Sequence, residues 1–411
     1  MKYLFVHQNF PGQFLHLVQH LLRTPGNEVV FITVENDNVI AGVRKLTYPK
    51  PPVNAGTYHM AQEFEQALMR AHVVQELAVR LNGLGFVPDI VIGHQGWGEM
   101  LNLRDVWPGA PTLGYYEFYY HAEGLDVGFD PEFDERSGGL GKVRAKNAVN
   151  LLALDNPGHG QTPTRFQHST YPEWAQRRIT VLPEGVDLQR CQPLPAARRE
   201  TLMLPGELNG MRIEPGDTLV TYVARDLEPY RGFHTMMRAL PRLHRLRGNL
   251  KVVMVGGDGV SYGAQLHEMT WRERMMREVG HVIDPARVCF PGRVPYPLFL
   301  QLLQRSDAHV YLTYPFVLSW SLREALACGC AVVASDTAPV REFVTDRETG
   351  LLVRFPDPLA LVAGVAEVLD DDVLARRMRG NAREFAERTL RMDDYLKSYE
   401  ALIARVMAGE A

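Results

Sequence analysis

Cysteine is scarce in these 411 residues, and the scarcity is informative. Cys191, Cys289, Cys328 and Cys330 make no CxxC pair and no Cys/His cluster with zinc spacing, which argues against a disulfide framework and a zinc site. They read as buried free thiols of a reducing compartment. Net charge is scarce too: at −4 the chain has no global attraction to nucleic acid or to an anionic membrane. No stretch approaches the roughly 20 apolar residues needed to cross a bilayer. The opening MKYLFVHQNF has one Lys and an apolar run broken at His7, Gln8 and Asn9, which is short of a signal peptide. These absences point to a cytoplasmic chain without a nucleic-acid partner, with membrane contact limited to a peripheral one at the inner face. Solenoid repeats and low-complexity segments are absent as well.

What is present is ordinary for a soluble protein of two to three domains: 46% hydrophobic and 22% charged residues. Short β-type runs alternate with amphipathic helical segments, the pattern of an α/β protein with parallel sheets. KYLFV, EVVFIT, PDIVIG and PTLGYY are strands of a first half, with a long helix through QEFEQALMRAHVVQELAVRL. TLVTYVAR, LKVVMVGG, RVCFPG, AHVYLTYP and CAVVAS form a second series, after a turn-rich region from Pro193 to Gly216. The simplest organisation is two Rossmann-like domains, residues 1–190 and 191–391. A last helix within 392–411 returns to the first.

In open parallel sheets the carboxyl ends of the strands border the ligand crevice. His94 and Trp97 follow PDIVIG, and Glu117, Tyr119 and His121 follow PTLGYY. In the second half Arg225 ends TLVTYVAR and Arg231 lies in LEPYRG, where Gly232 lets the chain turn into a helix. Two guanidiniums there suit a diphosphate, with both side chains expected to face solvent; two exposed arginines in a plain strand-to-helix loop are the alternative. VGGDG, with Gly256, is a tight strand exit but not GxGxxG, which demotes a dinucleotide enzyme. Glu324 is expected in the first turn of the helix in SLREALAC, where the helix dipole alone would favour a carboxylate. The competing role is functional: Glu324 accepts from ribose hydroxyls while the N–H groups of Leu318, Ser319, Trp320 and Ser321 meet phosphate. Asp370, Asp371 and Asp372 read as a solvated N-cap run and not as a metal site.

These residues resemble the family 4 glycosyltransferases, retaining enzymes of the GT-B fold, in which two Rossmann-like domains face each other across a cleft. The resemblance runs through HQNFPGQF, LPEGVD, VARDLEPYRGF, VCFPGRVPY and SLREALACGCAVVASDTAPVREFV. A bacterial subgroup with an HQNFPGQF opening and a YPFVLSWS loop is particularly similar. The resemblance implies that the second domain binds a nucleotide diphosphate sugar and the first a glycan, lipid-linked or protein acceptor. No metal or cofactor is implied.

By the same resemblance Arg225 and Arg231 stabilise the leaving diphosphate, and Glu324 matches the ribose-binding member of a glutamate pair. The other member is replaced by Phe316. Gly12, Gly256, Arg293 and Val294 join the donor site with Leu318–Ser321. His121, with Glu117, is expected at the point of transfer, across the cleft from Ser319, and His94, Trp97 and Tyr119 on the acceptor side. A GT-B sugar-nucleotide epimerase and a non-catalytic nucleotide-sugar-binding subunit stay open as alternatives.

Overall fold

The structure, a computed structural model, describes residues 1–133, 140–156, 158–205 and 210–410. The chain divides into two compact units. One comprises Met1–Val127, Glu135–Gly185 and Asp393–Ala411; the other comprises Gly128–Asp134 and Val186–Met392. Each is built on a parallel sheet, as the alternation of strand and helix signals predicts.

The first unit holds β1 (Lys2–Val6), β2 (Glu28–Val34), β3 (Val43–Tyr48), β4 (Ile90–His94), β5 (Thr112–Tyr115), β6 (His159–Thr162) and β7 (Ile179–Val181), in the spatial order β3-β2-β1-β4-β5-β6-β7. β1 runs KYLFV with Leu4, Phe5 and Val6 wholly buried, the mark of a strand covered on both faces. Helix Gln62–Gly83 covers part of the sheet with a stripe of Ala67, Ala71, Val74, Ala78 and Leu81, spaced three or four apart. The sheet order reverses between β1 and β4, so the exits of those strands form the ligand-binding crevice of this kind of sheet.

The second unit holds β10 (Thr218–Asp226), β11 (Leu250–Gly257), β12 (Val288–Cys289), β13 (Ala308–Tyr311), β14 (Val332–Ser335) and β15 (Leu351–Val353), ordered β12-β11-β10-β13-β14-β15. Here the reversal lies between β10 and β13. The turn-rich region Pro193–Gly216 contains more order than its prolines suggest. β8 (Leu202–Leu204) and β9 (Met211–Ile213) pair antiparallel, and Leu204, Met211 and Ile213 pack against Leu219 and Val253. Three-residue strands are too short for periodicity to reveal.

Asp371 caps helix Asp372–Thr389 by accepting from the Leu374 N–H, while Asp370 pairs with Arg247. All four cysteines are free and buried. Among the described residues no helix is long and apolar enough to cross a membrane.

Candidate active site

In the second unit, the exits of β10 and β13 gather most of the charged residues singled out in the sequence. Arg225 is exposed at the end of β10. Beside it the buried Asp226 accepts from Arg293 Nη2 at 2.8 Å and from Ser261 Oγ at 2.6 Å. The chain then turns through Pro229–Arg231 into helix Phe233–Leu246. Gly232 adopts φ 68°, and a Cβ there would lie 2.4 Å from Leu312 Cβ, so only glycine fits the turn.

Arg231 corrects the expectation of a solvent-facing side chain: it is 5% exposed. Its guanidinium lies 4.9 Å from the ring centroid of Tyr262, and Nη1 donates to Thr313 Oγ1 at 2.7 Å. The reason is the loop after β11, which is drawn over it by Glu228. That carboxylate is wholly buried and accepts the N–H groups of Ser261, Tyr262 and Gly263 at 3.1, 3.2 and 2.9 Å. Burial raises the Glu228 pKa, against the pull of those N–H groups and of Arg231. A guanidinium in so dry a place attracts an anion with little dielectric loss.

Glu324 also differs from expectation. Helix Trp320–Ala327 starts after Ser319, so Glu324 falls in the second turn, beyond the reach of a first-turn dipole argument. It is half-buried and its Oε1 accepts from Tyr296 Oη at 2.8 Å. Burial pushes its carboxyl up, partly offset by that hydrogen bond and by Arg323. Tyr296 in turn lines a cavity of about 380 Å³ with Ala224, Arg225, Val255, Arg293, Val294 and Phe299. The sequence reading found Arg225, Arg293 and Val294 but missed Tyr296 and Phe299. The signal available was the aromatic directly after VCFPGRVP.

The helix start is well ordered by side chains: the Ser319 N–H donates to Tyr311 Oη at 3.0 Å, and Ser319 Oγ meets Ser321 Oγ at 2.6 Å. Leu318 and Ser321 are buried, and Trp320 is half-buried. Phe316, at 3% exposed, packs in an aromatic cluster, 5.6 Å from Tyr230 and 5.1 Å from Tyr262 between ring centroids. The acidic residue of the resembled motif is thus replaced by a side chain that packs on Tyr262, the ring against which Arg231 lies. Gly256 has a packing role: a Cβ would come within 2.8 Å of Leu227 Cδ2 and 3.0 Å of Ala224 O.

In the first unit a second group forms at the exits of β1, β4 and β5. His94 is 1% exposed and stacks on Trp97 with centroids 3.8 Å apart. Its Nδ1 accepts the Gly96 N–H at 3.0 Å, so the proton of the neutral ring sits on Nε2, which lies 3.4 Å from Glu117 Oε2. Gln13 Nε2 approaches Glu117 Oε1 at 3.5 Å. Gly12, at φ 55°, closes the loop against His7, where a Cβ would be 2.6 Å from Cε1. His7 meets Trp97 edge-on at 4.9 Å. Sequence reasoning missed His7 and Gln13, although both lie in HQNFPGQF.

His121 is bonded to the backbone of a neighbouring helix. Its Nε2 lies 2.6 Å from the Thr170 carbonyl oxygen, at the end of helix Arg165–Thr170, and the Tyr119 N–H donates to Thr170 Oγ1 at 3.1 Å. A carbonyl only accepts, so Nε2 carries the proton and the neutral ring can offer only an acceptor, Nδ1, to a ligand.

Two family models match this chain, one after the other. The model described as Glycosyl transferase family 4 group matches residues 25–191, and the model described as Glycosyl transferases group 1 matches residues 209–385. The D-inositol 3-phosphate glycosyltransferase of Thermobispora bispora is 29% identical over 253 residues, 60% of this chain and 54% of that protein. The matched stretch spans about half the length of the curated relatives. Sucrose-phosphate synthase from Thermosynechococcus elongatus superposes with a TM-score of 0.75 at 18% identity, covering 100% of both chains. The Anabaena protein HepE, solved in complex with UDP and glucose, gives a TM-score of 0.67 at 15% identity over 98% of this chain and 99% of that one. These likenesses show the fold: two parallel-sheet Rossmann-like domains of the GT-B type.

Proposed function

We propose that this chain, whose two halves match glycosyltransferase models, is a retaining, metal-independent glycosyltransferase that moves a sugar from a nucleotide diphosphate sugar to an acceptor hydroxyl. The observation that carries the reading is the set of groups around β10 and β13. Arg231 is a buried cation, Arg225 an exposed one beside a cavity, and Glu324 a half-buried carboxylate hydrogen-bonded to Tyr296, which lines that cavity. Arg225 and Arg231 hold the diphosphate and stabilise the charge that grows on it as the glycosidic bond breaks. That is the role a metal plays in other transferases. Glu324 accepts from ribose hydroxyls, Arg293 and Val294 border the base, and Ser319 and Ser321 shape the phosphate end of the loop.

Retention follows if the leaving diphosphate takes the acceptor proton on the face it departs from, a route that needs no protein nucleophile. In the first unit Glu117, held by His94 and Gln13, is the acceptor-side carboxylate. Trp97 and Tyr119 supply surfaces on which a sugar can stack. His121 offers Nδ1 to a sugar hydroxyl. The acceptor is a glycan, a lipid-linked sugar or a protein, and the protein works in the cytoplasm or at the inner face of the membrane.

A thermal-shift panel of UDP-, GDP-, ADP- and dTDP-sugars in EDTA tests the reading. A ligand that binds only the folded state stabilises it by about 2.7 kcal/mol at one hundred times its dissociation constant. One base should shift the transition, with EDTA present. No shift from any member, or a shift that requires a divalent cation, contradicts the proposal.

A further inference from the structure

Resting on that reading of the β10–β13 site, we propose that Asp130 is a positioning residue that holds together the two loops forming the diphosphate site. Residues 128–133 pack in the second unit although elements of the first unit flank them in the sequence. Asp130 is 2% exposed. Its Oδ2 accepts from Tyr314 Oη at 3.1 Å and lies 2.9 Å from His234 Nε2, while Oδ1 accepts the Glu132 N–H at 3.1 Å.

The two partners stand on opposite walls of the switch point. His234 is three residues beyond Arg231, in the first turn of helix Phe233–Leu246. Tyr314 follows β13 and opens the loop that leads to Phe316 and Ser319. Its ring stacks on Tyr230 with centroids 4.5 Å apart, and its N–H donates to the Tyr230 carbonyl at 3.0 Å. Tyr230 is the residue before Arg231. One carboxylate oxygen therefore fixes the spacing between the loop that carries the cation and the loop that ends at the phosphate-facing helix.

The flanking residues fix Asp130 in its turn. Phe129 packs on Tyr314 and Phe355, Phe133 meets His234 and Trp271 edge-on, and Glu132 forms a two-point ion pair with Arg238 at 2.6 and 2.8 Å. A carboxylate buried this deeply needs its partners, so removing any one of them is felt by the other two.

The test uses the whole chain, with Asp130→Asn and Tyr314→Phe, and inorganic pyrophosphate as a probe that does not depend on the base. Tyr314→Phe removes one hydroxyl and serves if Asp130→Asn does not fold. Amide exchange at 312–318 and 230–235 should quicken about tenfold in both variants. The dissociation constant for pyrophosphate by titration calorimetry should rise about tenfold at unchanged stoichiometry. An irreversibly misfolded fraction lowers the stoichiometry and leaves the constant alone. Wild-type exchange in both variants, or quickened exchange with an unchanged constant, overturns the proposal. If the wild-type protein binds no pyrophosphate, the diphosphate reading itself fails, and the exchange rates alone decide whether Asp130 holds the two loops.

Discussion

Replacing Arg231 separates its cost to folding from its value to the reaction. The guanidinium is nearly wholly buried, bonded to Thr313 and covered by Tyr262, and its Coulombic neighbour Glu228 is buried as well. Arg231→Met keeps the volume and the aliphatic stem but removes the cation. Replacing a whole buried ion pair by apolar residues is often neutral, but removing one partner costs about 3–5 kcal/mol because the other charge is left buried and uncompensated. Glu228 keeps its three N–H donors, which limits the penalty of losing Arg231. The expected loss of folding stability is therefore about 3 kcal/mol, at the low end of that range. The loss in transfer is read separately, on the protein that is folded: about 10²–10³ in kcat, or roughly 2.7–4 kcal/mol, the usual cost of one preorganised group that meets developing charge. Arg231→Lys should fall between, since it keeps the charge and loses the planar two-point geometry. Thermal unfolding and initial rates at saturating donor measure both quantities. Wild-type turnover in Arg231→Met would refute the diphosphate assignment.

Further outcomes follow from neighbouring residues. Glu324→Gln should weaken the free nucleoside diphosphate and the full donor alike, by about 10–100-fold, since it loses hydrogen bonds to a charged acceptor; weakening of the full donor alone would move Glu324 to the sugar end. Because burial raises the Glu324 carboxyl, wild-type donor affinity should fall as pH drops through that raised pKa, and Glu324→Gln should remove this acid limb. His121→Ala should lower turnover with little change in affinity for free nucleotide; unaltered turnover would leave His121 only its bond to Thr170. His309, buried in the second sheet, has its pKa pushed down to about 4 by burial. Between that value and the ordinary 6.5 the unfolded chain binds more protons, so stability is full above about pH 6.5 and falls as pH drops toward 4, by roughly 3 kcal/mol. Denaturant melts at pH 7.5 and 5 should show the fall, and a second unit equally stable at both would contradict the burial of a neutral ring.

The strands that carry the site were legible in the sequence because they are apolar on both faces: KYLFV, TLVTYVAR and CAVVAS need no alternation to be recognised. β6 was not, because HGQT has no apolar signature; all four residues are buried, with His159 bonded to Thr180 and Gln161 to the Leu182 carbonyl. Site residues at strand exits were found by topology, but their orientation was not. Arg231 looked exposed because nothing in LEPYRG shows that Glu228 draws the loop of Tyr262 over it from more than thirty residues away. The sequence did not show that the Glu117 carboxylate comes within 3.4 Å of His94 Nε2, on the neighbouring strand. Asp130 gave no sequence signal, since its partners lie about one hundred and nearly two hundred residues downstream.

The most direct test of the central claim is to follow the nucleotide sugar that stabilises the protein by proton NMR, in EDTA, with and without an acceptor extract. The account predicts release of the nucleoside diphosphate and a new glycosidic or hydrolysed anomeric signal of the same configuration as the donor. An inverted anomeric signal, or a donor converted into an altered sugar nucleotide without release of the diphosphate, would contradict it.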